Sequence, residues 1–145
     1  MPPQNPIADI AHLIQLSVAP VFLLTAVGTI LGVLSTRLGR IVDRSRVLGD
    51  RMESFPAEKR AVVRDEIATL LRRRTLINLA ITCGTCAALS VAGVIGSAFL
   101  GFLFSWKASW AVAVLFLLAM AFVVGALLLF LREVLLAATA RSEHW

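Results

Sequence analysis

Leu34-Ser35-Thr36-Arg37-Leu38-Gly39-Arg40-Ile41-Val42-Asp43-Arg44-Ser45-Arg46-Val47-Leu48 is the stretch that decides the fold. It starts at the end of an apolar run and turns basic without losing helical periodicity. Apolar or small residues fall at 34, 38, 41, 45, 48, 52 and 55. Those steps alternate four and three, the seam of a coiled coil. A first helix therefore leaves a greasy environment and continues as an arm in water. Phe55-Pro56 turns the chain, and proline suits the first position of a new helix. Residues 57–74 return as a second arm, with Val63, Ile67 and Leu70 on one face. Residues 37–75 are expected to form an antiparallel helical hairpin, its arms of about 18 residues projecting on the order of 25 Å.

Outward from this block the chain is apolar on both sides. Spans are expected at about 13–36, 76–104 and 109–131, because about 20 apolar residues cross roughly 30 Å of hydrocarbon. The chain is 59% hydrophobic and 16% charged, with mean hydropathy +0.86. Soluble domains hold about 45–50% apolar and about 25% charged residues, so this is a membrane composition. Eleven of the fourteen Lys/Arg residues lie within 37–74; the others are Lys107, Arg132 and Arg141. Lys and Arg are retained on the cytoplasmic side. The expected topology is N-terminus outside, 37–74 and the C-terminus inside. The expected fold is therefore all-α: an integral membrane protein with three transmembrane helices and a cytoplasmic antiparallel helical hairpin between spans one and two, a single membrane domain over residues 1–145. The first span reads as a retained helix, since it is too long for a leader and lacks a basic flank before it.

The net charge of +5 does not indicate nucleic acid, because the basic block also holds six acidic residues and abuts two spans. Arg72-Arg73-Arg74 at headgroup level are expected to meet anionic lipid phosphates.

Within span one, Pro20 removes an N–H and is expected to loosen the turn holding Leu16. Asp9, His12 and Gln15 share a face near the outer surface, read as a polar interfacial turn. Gly28 and Gly32 form a G-x-x-x-G that lets another helix approach. In span two, Gly84, Ala88, Ala92 and Gly96 recur every four residues as a packing stripe. Asn78 is expected to bond a neighbouring helix. Cys83-Gly84-Thr85-Cys86 reads as two small apolar residues on one helix face rather than redox or zinc chemistry, which would need further ligands. Trp106 and Trp110 flank the outer turn as interface residues. Span three carries Ala121-x-x-x-Gly125 and otherwise reads as a lipid-facing helix.

Four ordered runs are distinctive: Ala19-Pro20-Val21-Phe22-Leu23-Leu24-Thr25, then Arg37-Leu38-Gly39-Arg40-Ile41-Val42-Asp43-Arg44-Ser45-Arg46, then Arg73-Arg74-Thr75-Leu76-Ile77-Asn78, then Phe130-Leu131-Arg132-Glu133-Val134. Over about 7–136 the chain resembles a bacterial membrane family filed as domain of unknown function twenty-seven twenty-one. The resemblance implies a bacterial inner-membrane protein with three spans. It carries no activity, cofactor or site residues.

The charges of those runs, Arg37, Arg40, Asp43, Arg44, Arg132 and Glu133, fall near the inner membrane face. Mixed signs at one depth predict ion pairs locking helix one to helix three, each contributing about 0–1 kcal/mol if solvated. There is no nucleophile–base pair, metal cluster or phosphate-cradling glycine loop, so no catalytic, cofactor or metal site is expected and an enzyme is not. Two functions compete. One is a homo-oligomeric channel whose path is lined by helix one at Gln15, Ala19, Pro20, Thr25 and Thr29, with the arginines at its inner mouth. The other is a structural or signalling membrane module whose basic hairpin binds a protein partner or anionic lipid.

Overall fold

The computed structural model describes residues 6–104 and 109–142; Trp106, Lys107, His144 and Trp145 lie outside them. Three long helices account for nearly all of it: α1 (Pro6–Asp50), α2 (Ala57–Leu103) and α3 (Ser109–Ser142), with a 3-10 turn at Met52–Ser54 between the first two. No strand occurs among the described residues. All three helices are long and apolar enough to cross a membrane, where helices satisfy every backbone polar group internally. α1 begins at Pro6, before the expected span at about 13, and runs through Pro20 as one helix. α3 continues eleven residues beyond the expected end of span three.

The connection between α1 and α2 follows from Pro56. A residue before proline is pushed to extended backbone, and Phe55 sits at φ −82°, ψ 142°. Pro56 itself precedes α2 rather than opening it: its carbonyl accepts from the Lys59 and Arg60 amides at 2.9 and 3.2 Å. The Arg60 guanidinium then donates from Nε to the Phe55 carbonyl and from Nη2 to the Glu53 carbonyl. One side chain thereby satisfies two carbonyls that the turn would otherwise leave to water.

The chain divides into two compact units. The first comprises the described residues of Met1–Ile30 with Gly84–Val123. Its buried hydrophobic residues are Val27, Ala87, Val91, Val94 and Ala119. Helices α2 and α3 approach closely at Gly93, where an added Cβ would lie 3.3 Å from Leu115 Cδ1. The second unit comprises Leu31–Cys83 with Val124–Trp145 in its described part. Its core is Leu34, Ile41, Leu48, Val63, Leu70, Ile77, Ala80 and Ala126, together with one charged residue, Glu133.

Buried positions repeat every seven residues on each helix: Val27, Leu34, Ile41, Leu48 on α1; Val63, Leu70, Ile77, Gly84, Val91 and Ala80, Ala87, Val94 on α2; Ala119, Ala126, Glu133 on α3. Seven-residue repetition is the coiled-coil rule; within the chain the four-residue stripe of span two follows it only at Gly84. Four residues turn a helix by about 400°, so such a stripe drifts by about 40° per step. Gly84 is buried, Ala88 half-buried, and Ala92 and Gly96 exposed. On α3, Ala126 rather than Ala121 faces inward.

Candidate functional site

The most unusual side chain is Glu133. Its carboxylate is fully buried, at the α3 position where the preceding repeats carry alanine. A charge at such a place is costly unless paired, and it is paired twice. Arg73 of α2 donates from Nε at 3.1 Å and Nη2 at 2.8 Å to Oε1. Arg37 of α1 donates from Nη1 at 2.9 Å to Oε2. The Arg37 guanidinium also lies over the Phe130 ring, 5.0 Å from its centroid, a cation–π distance. One carboxylate of α3 thus joins α1 and α2. No buried side-chain polar atom among the described residues lacks a hydrogen-bond partner.

Arg37 and Arg44 are seven apart on α1, as are Glu66 and Arg73 on α2. Seven residues from the clamp toward the connecting turn, Arg44 donates Nε and Nη2 to Glu66 Oε1 at 3.0 and 2.9 Å. This pair is exposed, 55% and 41%.

Three expectations need correction. Arg73 does not share the outward setting of Arg72 and Arg74: it turns onto Glu133, while its neighbours are exposed. The ion pair expected between helix one and helix three is Arg37–Glu133; Glu133 is buried and its second partner is Arg73, not Arg40 or Arg44. Arg40, Asp43 and Arg132 are exposed and make no ion pair among the described residues. Asn78 is likewise exposed, with no side-chain hydrogen bond to a described residue; only its carbonyl accepts, from Thr82.

Beside the clamp lies a cavity of about 440 Å³ lined by Arg37, Arg40, Ile41, Arg73, Ala137 and Ala138 among others. In the first unit, a cavity of about 430 Å³ is lined mainly by apolar groups, Pro20, Val94, Val112 and Phe116 among them.

The remaining candidates on α1 face away from its buried seam. Gln15, Ala19, Thr25, Gly28, Thr29 and Gly32 are exposed and Pro20 is half-buried. A Cβ added at Gly28, Gly32 or Gly96 meets nothing within 4 Å. The threonine hydroxyls each donate to a carbonyl one turn back: Thr25 to Val21 at 3.1 Å, Thr29 to Thr25 at 3.1 Å and Thr36 to Gly32 at 3.0 Å. Cys83 and Cys86 are free and half-buried, and Cys83 Sγ lies 4.0 Å from the place of a Cβ at Gly125. No group of three or more His, Cys, Asp or Glu among the described residues could hold a metal.

Neither the curated proteins nor the solved structures contain a match to this chain. A family model does match: that of a protein of unknown function (DUF2721), over residues 17–142. That stretch takes in the Glu133 clamp, both of its arginines and the outward face of α1, and the chain belongs to this family.

Proposed function

We propose that the chain forms a homo-oligomeric channel of the bacterial inner membrane, its ion-conducting path lined by α1. One observation carries this reading. Gln15, Thr25, Thr29, Gly32, Thr36 and Gly39 of α1 are exposed, while Ser17 and Pro20 are half-buried; the buried seam is Val27, Leu34 and Ile41. A stripe of glutamine, threonine and glycine is a poor surface for lipid. It suits close approach to another helix or a wet lumen. In a ring of copies the exposed Arg40 would set a positive field at the inner mouth.

The topology proposed with it is N-terminus outside and C-terminus inside. Residues 37–75 form a cytoplasmic antiparallel hairpin, and the exposed Arg72 and Arg74 sit among anionic headgroups. The support is the charge asymmetry and the pairing of Arg44 with Glu66.

A second reading has its own observation. Each threonine hydroxyl on the stripe is bonded to its own helix, which leaves a small-residue surface suited to a dry contact between copies. On that reading the chain is a structural or signalling module without a path. Purified protein in liposomes separates the two. A channel passes ions under voltage, pH or tension, and Thr25→Val or Arg40→Glu changes rate or selectivity. Absence of flux under all three conditions abandons the channel.

A further inference from the structure

We propose that the cavity between Arg37, Arg40 and Arg73 binds a phosphate group, carried either by a membrane lipid or by a soluble phosphate. Its volume of about 440 Å³ falls within the range of about 300–1,000 Å³ typical of small-molecule sites. Arg37, Arg40 and Arg73 line it; the first and third share the Glu133 carboxylate, and Arg40 pairs with no carboxylate among the described residues. Three positive charges less one negative charge leaves an excess of two.

The hydrogen-bond accounting agrees with the charge. A guanidinium has five N–H donors. Glu133 takes Nη1 of Arg37 and the Nε and Nη2 groups of Arg73, so both retain donors. Arg40 has no acceptor among the described residues. An anion with several acceptor oxygens and up to two negative charges matches that surplus, and planar guanidinium forks suit phosphate. Glu133 also holds two of the three forks in place before any ligand arrives, which lowers the ordering cost of binding. The rest of the lining is apolar: Ile41, Val134, Ala137 and Ala138. The two alanines carry short side chains, which leaves room for a ligand. Arg37 and Arg73 stand at the ends of the apolar stretches of α1 and α2 in the sequence, a level that a lipid headgroup and a soluble anion can both reach. The inference does not depend on conduction.

The test uses the full chain in neutral detergent, titrated calorimetrically in two arms: inorganic phosphate, and short-chain phosphatidylglycerol. Saturable binding in the first arm assigns a soluble source; saturable binding in the lipid arm alone assigns a headgroup. In either case Arg40→Gln weakens binding about tenfold or more. Arg64→Gln, which removes an exposed arginine of the same unit outside the cavity, leaves it unchanged. Ala137→Phe fills the cavity while keeping every charge and causes the same loss as Arg40→Gln. Circular dichroism verifies that each variant is folded. No saturable binding in either arm overturns the proposal. So does equal weakening by Arg40→Gln and Arg64→Gln, which marks diffuse attraction, or binding that survives Ala137→Phe. Flux without phosphate binding, or binding without flux, separates this site from the channel reading.

Discussion

Arg73 Nη2 lies 2.8 Å from Glu133 Oε1, a carboxylate that has no exposed surface. An arginine of α2 and a glutamate sixty residues away on α3 therefore form a buried pair, and Arg37 of α1 completes it at 2.9 Å. Buried ion pairs are not in themselves a source of stability, since desolvation offsets the attraction. Their consequence is that neither partner can be removed alone.

Glu133→Ala leaves two part-exposed arginines without their carboxylate; because water still reaches both, the expected loss is about 1–3 kcal/mol, below that for breaking a fully buried pair. Thermal melting in detergent, followed by helicity, measures it. The triple variant Arg37→Met, Arg73→Met, Glu133→Leu should recover most of that loss, because an apolar cluster can replace a buried ion network at little cost. Arg44→Ala, by contrast, breaks an exposed pair and should cost less than about 1 kcal/mol. Equal losses for Glu133→Ala and Arg44→Ala would contradict the burial difference.

Leu48→Asp tests the seam at its far end. Leu48 is 5% exposed, so an aspartate there would be a lone carboxylate in the seam. Burying it unpaired costs several kcal/mol, so residues 37–75 should become protease-sensitive while the membrane-spanning stretches stay protected. Limited proteolysis that cuts wild type and Leu48→Asp at the same rate would show that α1 and α2 do not depend on this contact.

The three helices were legible because length, hydropathy and the turn at Phe55-Pro56 are local properties. The seam on α1 was legible for the same reason: Ile41 and Leu48 lie in charge-rich sequence, where apolar and polar positions contrast. In α2 and α3 that contrast disappears, since residues facing lipid are as apolar as those facing the core. Small residues then become the only cue, and the four-residue spacing of Gly84, Ala88, Ala92 and Gly96 competes with the seven-residue spacing of Ala80, Ala87 and Val94. Only the second keeps one face. Glu133 was recognisable as an ion-pair candidate, but its burial was not. Its place follows from counting seven and fourteen residues on from Ala119, and Arg73 as its partner follows from the same count on α2.

The exposed glycines of α1 give a clean test of self-association. A side chain at Gly28 or Gly32 meets nothing within 4 Å in the chain itself, so Gly28→Leu and Gly32→Leu should leave an isolated chain folded. Any fall in oligomer size, read by light scattering in detergent, therefore reports a contact between copies. Gly93→Leu is the contrasting case, because it drives into Leu115 at 3.3 Å and should lower the melting temperature whatever the assembly. If all three glycine variants keep both size and melting temperature, neither the intermolecular nor the intramolecular contact is as argued.

Topology is the last prediction. Ser54 lies in the turn between α1 and α2 and is exposed. Its hydroxyl donates to the Arg51 carbonyl at 2.7 Å, so a cysteine there changes little packing. Eleven Lys/Arg residues lie within 37–74, and moving that block outward through a bilayer is disfavoured at every one of them. Ser54→Cys, in a background with Cys83 and Cys86 replaced by alanine, should therefore resist a membrane-impermeant thiol reagent added to intact cells. It should react once the inner membrane is opened. Labelling of Ser54→Cys in intact cells would place the basic block outside, and would reverse the proposed orientation of all three spans together.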